Sequence, residues 1–192
     1  MKVTLLVVLL LVIIVGILGI SAGTWAMTTN NRLVALNESI NGAWAQVETV
    51  LQRRYDLIPN LVATVKGYAK HESGVLEEVT RLRSQWGAAK GTDQKVAAAN
   101  QLEGVLGRLM VIIEKYPELK ANQNFLALQD ELAGTENRIA VERRRYNEVV
   151  QNYNTAIAQF PASIVAGWRN FQHRDVYFKA QEAAKDAPKV EF

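Results

Sequence analysis

Cysteine is absent from the 192 residues, which excludes disulfide staples, thiolate nucleophiles and cysteine-held zinc. Histidine occurs twice, at His71 and His173, too rarely for most histidine-rich metal sites. Proline is confined to Pro59, Pro117, Pro161 and Pro188, and no segment sustains the period-two alternation of a strand. Charge of one sign is lacking too. The 22 basic and 19 acidic residues leave a net charge of +3, spread along the chain, without a nucleic-acid-binding signature.

What is present begins with a long apolar run. Val3–Ile20 carries no charge, and small and apolar residues continue it to Met27. At 1.5 Å per residue such a helix crosses a hydrocarbon core of about 30 Å. Trp25 falls where an interfacial aromatic anchors a span. A cleaved signal peptide is the competing reading, but its apolar region is normally about 7–15 residues long, and Ser21-Ala22-Gly23 is only a passable cleavage site. The sequence therefore favours a retained anchor over residues 1–29. Lys2 before the span and only Arg32 soon after it favour a cytoplasmic N-terminus and an extracytoplasmic domain.

Beyond the anchor the pattern is helical. From about Asn31 to Trp86 the residues Leu33, Leu36, Ile40, Trp44, Val47, Leu51, Tyr55, Ile58, Val62 and Val65 define one face in steps of three and four. A second helix over about Asp93–Tyr116, capped by Thr92, carries Leu102, Val105, Leu109, Ile112 and Tyr116. A third, about Ala121–Gln159, has a heptad seam of Phe125, Leu128, Leu132, Thr135, Ile139, Glu142, Tyr146, Val149, Tyr153, Ala156 and Phe160. A short helix follows Pro161. Short connections favour antiparallel neighbours, so the expected fold is all-α: an up-down helical bundle of about four long helices over residues 30–180, preceded by one transmembrane helix and followed by a polar tail at 181–192.

Within the first long helix lies QRRYDLIPNL, residues 52–61. A proline inside a helix removes a hydrogen bond and clashes with the preceding turn, at a cost of about 3 kcal/mol. Either Asp56 caps a new helix with Pro59 at its third position, or the helix continues with a kink. The apolar face keeps its phase across Pro59, which favours the kink.

The stretches AWAQVETVLQRRYDLIPNLVATVKGYAKHE (43–72) and ERRRYNEVVQNYNTAIAQFP (142–161), with the FQHRDVYF tail, resemble the LemA family of bacterial proteins. The resemblance implies a membrane-anchored, all-helical bundle at the cell envelope and supplies no catalytic activity.

Candidate chemistry is sparse. His71-Glu72 lacks the second histidine of a zinc-protease motif and reads as a polar helix surface. Ser73 and Thr155 lack a recognisable activating base. Two charge clusters carry more: Arg53, Arg54 and Asp56, and Glu142 with Arg143, Arg144 and Arg145. Glu142 falls on the apolar seam, where an unpaired carboxylate is costly, and Arg54 is its expected bidentate partner. Such a pair fixes helix register; the alternative is a surface for an acidic partner or lipid headgroups. The tail residues Trp168, Phe171, Tyr177 and Phe178, with Arg169, Arg174 and Lys179, either close the end of the bundle, lie on a membrane or stack on nucleic acid.

The anchor has its own pattern. Gly16, Gly19, Gly23 and Ala26 share one face, with Gly19 and Gly23 as a GxxxG pair that lets membrane helices approach closely. The rhythm continues through Asn30 to Leu33. The sequence thus predicts a non-enzymatic, self-associating scaffold in the bacterial inner membrane; the alternative is a monomeric anchored adaptor that binds another protein through its arginine-rich faces. The expected partners are the bilayer and further copies of the chain, with an unidentified protein on the alternative reading. No cofactor, metal or nucleic acid is expected. Protease added to spheroplasts should digest the domain if the orientation is right; protection until the membrane is breached would reverse it.

Overall fold

The computed structural model describes residues 2–69 and 71–178. Lys179 and the polar tail lie outside the described residues, as does Lys70. Every regular element among those described is a helix: α1 (Lys2–Tyr68), α2 (Ser73–Ala88), α3 (Thr92–Ile113), α4 (Pro117–Lys120), α5 (Gln123–Ala158) and α6 (Ala162–Trp168). Gly91, rather than Thr92, occupies the cap position of α3.

The anchor and the first helix beyond it are one element. α1 runs without interruption through the polar Thr28–Asn31 stretch, whose threonines and asparagines have modest helix propensity. The threonine hydroxyls near it are satisfied by carbonyls of their own helix. Thr24 Oγ1 donates to Ile20 O at 2.6 Å, and Thr28 Oγ1 to Thr24 O at 3.0 Å.

α1 also runs through Pro59. The proline has no N–H for the carbonyl of Tyr55, four residues earlier, so that oxygen is left without its helical donor. The side chain of Arg83, on α2, takes the vacant role: its Nε donates to Tyr55 O at 3.3 Å. The helix ends nine residues after the proline, at Tyr68. The expected run to Trp86 is therefore divided, but at 69–72. Gly67 and the Ser73-Gly74 pair are weak helix formers there. Hydrogen bonds from Asn122 Nδ2 to Tyr68 Oη (2.9 Å) and from Tyr116 Oη to Glu72 (3.1 Å) hold the corner.

The chain forms two compact units. The first joins the residues up to Asn41 with Glu148–Asp175. Its core combines Leu33 and Ile40 of α1, Val150 and Tyr153 of α5, and Val165 and Ala166 of α6. The apolar anchor residues Leu5–Ile20 are exposed in the single chain, as a lipid-facing helix requires. Beyond α6 the extended tail is gripped by its backbone. Asn154, buried on α5, donates from Nδ2 to Arg174 O (2.8 Å) and accepts from Arg174 N (2.9 Å). Tyr153 Oη donates to Gln172 O at 2.9 Å.

The second unit joins Gly42–Asn147 with Val176 onwards. Val47, Leu51, Tyr55, Ile58, Leu61 and Val65 of α1 line its core with Leu76, Val79, Leu82 and Trp86 of α2. Leu102, Val105 and Leu109 of α3, and Phe125, Leu132, Ile139 and Tyr146 of α5, complete it. The expected faces hold with small phase shifts: Leu61 is buried rather than Val62, and Ile113 rather than Ile112. In this unit α1 and α5 run antiparallel, because Trp44 meets Tyr146, Arg53 meets Glu131 and Tyr68 meets Asn122.

The Pro59 arrangement is testable by a thermal double-mutant cycle. Arg83→Met should destabilise the chain while Pro59 is present. In a Pro59→Ala background the restored helical amide already serves Tyr55 O, so Arg83→Met should cost less, with a coupling on the order of 0.5 kcal/mol. Strictly additive losses would remove Arg83 from this role.

Candidate functional site: a buried charge and aromatic network

The second unit contains the charge clusters singled out in the sequence. Arg54 projects from α1 into the interior and is only 3% exposed. The α1–α5 register places it opposite Glu136, with which it forms an ion pair. The expected Arg54–Glu142 pair is therefore not formed, because Glu142 lies six residues farther along α5. Glu142 is half-buried, and its nearest cation is Arg145 at 3.9 Å, too long for a hydrogen bond. Its Oε2 is buried without a hydrogen-bond partner.

Arg143 turns inward. It pairs with Glu103 of α3 at 2.8 Å and lies over the Phe178 ring, 5.1 Å from its centroid. Arg53 stays at the surface and binds Glu131 of α5 at 2.9 Å through Nε. Asp56 is also exposed and accepts a bond from Gln52 at 2.6 Å. Arg144 and Arg145 are exposed. The two clusters are thus partitioned: Arg54 and Arg143 tie helices together from within, and Arg53 does so at the rim.

Aromatic rings surround these charges. Tyr55 stacks on Trp86 at 4.4 Å and 17°, and Lys95, which pairs with Glu48, lies 5.2 Å from the Trp86 centroid. Trp44 stacks on Phe178 at 6.2 Å, and Tyr146 meets the same ring edge-on at 5.7 Å. Asn147 holds this residue by its backbone, donating to Phe178 O (2.8 Å) and accepting from Phe178 N (3.0 Å). Phe178 thereby closes this unit, as the structural reading of the tail expects.

The electrostatics follow from burial. Desolvation pulls the Arg54 guanidinium down to about 10, against the opposing pull of Glu103. Burial pushes the Tyr55 phenol up from its ordinary 10, against the neighbouring Arg54 and Arg143. Neither shift brings a proton into play near neutral pH, where general acid–base catalysis needs it. What the network can do is fix helix register. His71 lies exposed, and Glu72 is engaged by Tyr116, at the corner before α2.

The sequence reading did not identify Glu103, Glu136, Arg83, Asn147 or Asn154. The asparagines left a usable signal: two amides one heptad apart on the cleanest heptad helix. In the anchor, Gly16, Gly19 and Gly23 are exposed and Ala26 is partly covered. Trp25 is 39% exposed. Asn30, continuous with that face, gives its amide oxygen to Arg169 Nε at 3.0 Å.

The LemA family profile matches residues 43–192. Protein LemA of Metamycoplasma hominis is 25% identical over 162 residues, covering 84% of this chain and 72% of its own. Magnetosome proteins MamQ 1 and MamQ 2 of Paramagnetospirillum magneticum are 24% identical over 184 residues, covering 82% of this chain and 67% of theirs.

Tyr55 gives a prediction with a defined sign. Its hydroxyl is buried without a partner, so Tyr55→Phe should be neutral or stabilising by about 1 kcal/mol at pH 7 in thermal melts. The phenol's raised folded pKa contributes stability that is fully present below pH 10 and lost above it. Arg54, with its lowered pKa, contributes the opposite slope from about pH 10 upward. Removing the phenol should therefore make stability fall less steeply above pH 10. An unchanged slope would remove Tyr55 as its source.

Proposed function

The chain belongs to the LemA family, and we propose that it acts as a non-enzymatic scaffold on one membrane helix, self-associating through the small-residue face of that helix. The unbroken α1 carries this reading. The helix that displays Gly16, Gly19 and Gly23 to the lipid also supplies Leu33 and Ile40 to the core of the first unit. A second copy packed on the glycine face would thus be coupled rigidly to folded structure, which a flexible joint would not allow. A Cβ added at Gly16, Gly19 or Gly23 meets nothing within 4 Å, so the single chain itself has no steric need for glycine there.

The adaptor reading depends on arginine-rich faces, and two of its arginines, Arg54 and Arg143, are spent on internal ion pairs. Arg144 and Arg145 remain for such a surface. The scaffold reading asks nothing further of them.

Native-state mass measurement in a gentle detergent should find more than one chain per particle, and Gly19→Leu with Gly23→Leu should reduce it to one. Cysteines introduced singly from Gly16 to Leu33 should crosslink under mild oxidation with a period of three to four residues. The maximum should lie on the Gly19–Gly23 face. A single-chain particle with uniformly weak crosslinking would favour the adaptor.

A further inference from the structure

We propose that the α5–α6 corner of the first unit is a second membrane contact: Phe160, Ile164 and Trp168 enter the bilayer interface beside the anchor. Ile164 and Trp168 are four residues apart on α6, and Phe160 lies in the turn just before it; they are exposed at 60%, 81% and 82% respectively. Val165 and Ala166 of the same short helix face the core, so the corner has a definite inner and outer side. The heptad seam would have buried Phe160; the turn that ends α5 at Ala158 releases it instead.

Contacts within the unit set the height of this corner. Asn154 of α5 and Asn37 of α1 both bond Arg174, through its backbone and its guanidinium respectively, and so share one level. Arg169, which immediately follows Trp168, bonds Asn30. The corner therefore lies toward the anchor from the Asn37 level, alongside Asn30. Asn30 is five residues beyond Trp25, about 7.5 Å along the helix. The polar zone on each side of the hydrocarbon is about 5–7.5 Å deep, so with Trp25 at its inner boundary Asn30 stands at its outer edge. Trp168 is thus carried at headgroup depth, where the amphipathic indole is favoured. Arg32, on the same turn of α1 as Asn30, and Arg169 supply cationic groups at that level for lipid phosphates.

The occupant is the bilayer that already receives the anchor, and the surface continues the lipid-facing one on α1. Insertion would fix the tilt of α1 and of the unit it carries against the bilayer, which a single membrane helix leaves free.

The test uses the full chain in phosphatidylethanolamine–phosphatidylglycerol nanodiscs, with one nitroxide label per variant on Phe160→Cys, Ile164→Cys or Trp168→Cys. Ile17→Cys and Glu38→Cys give lipid and water references on the same helix. Collision rates with oxygen and with a water-soluble nickel chelate report depth. The corner labels should give an oxygen-to-nickel ratio several-fold above that of Glu38→Cys, and Phe160→Ser should melt like the parent in detergent. A ratio equal to that of Glu38→Cys would overturn the proposal. So would shielding from both reagents with spin–spin broadening, which would mean that another copy covers the corner. Neither result bears on association through the glycine face.

Discussion

α1 has to satisfy two solvents along one hydrogen-bond ladder. In lipid every backbone amide must be paired within the helix, and past the interface the same helix must present a buried face to α5. The ladder has two weak points, a polar stretch at the interface and a proline in the second unit. The helix runs through both. Near the first, Thr24 and Thr28 turn their hydroxyls back onto carbonyls of their own helix, and at the second Arg83 supplies the donor that Pro59 lacks.

The buried charges serve a related end. Arg54 in an apolar interior would be expensive alone, and its pair with Glu136 is satisfied in only one α1–α5 register. Arg143 and Glu103 impose the same restriction between α5 and α3. Apolar seams tolerate slippage by a turn; paired charges do not. The aromatic stacks around Trp86 and Phe178 then fill the space between these fixed points.

The helices and most of their faces were legible because a period of three and four is a local property of the chain. The long apolar N-terminal helix was legible for the same reason. Pairing was not. Glu142 lies on the seam as expected, but the choice between Glu136 and Glu142 as partner of Arg54 depends on how far two helices slide, and periodicity says nothing of that. The helix continues through Pro59, as the unbroken phase of its apolar face favoured. The donor that Arg83 of α2 supplies there, and the end at Tyr68 with its weak helix formers and two side-chain bonds, depend on contacts that periodicity does not carry. The tail divided in an instructive way: Phe178 is buried while Trp168 is not, although both are aromatic residues beside arginines.

Asn154 grips residue 174 by its peptide group alone, one N–H and one C=O, and takes no notice of the side chain. Such a grip is blind to chemistry and sensitive only to whether an amide hydrogen exists. Any residue but proline can stand at 174 without loosening the clamp. What a substitution there removes is the separate bond from the arginine side chain to Asn37, while the grip on the backbone stays the same.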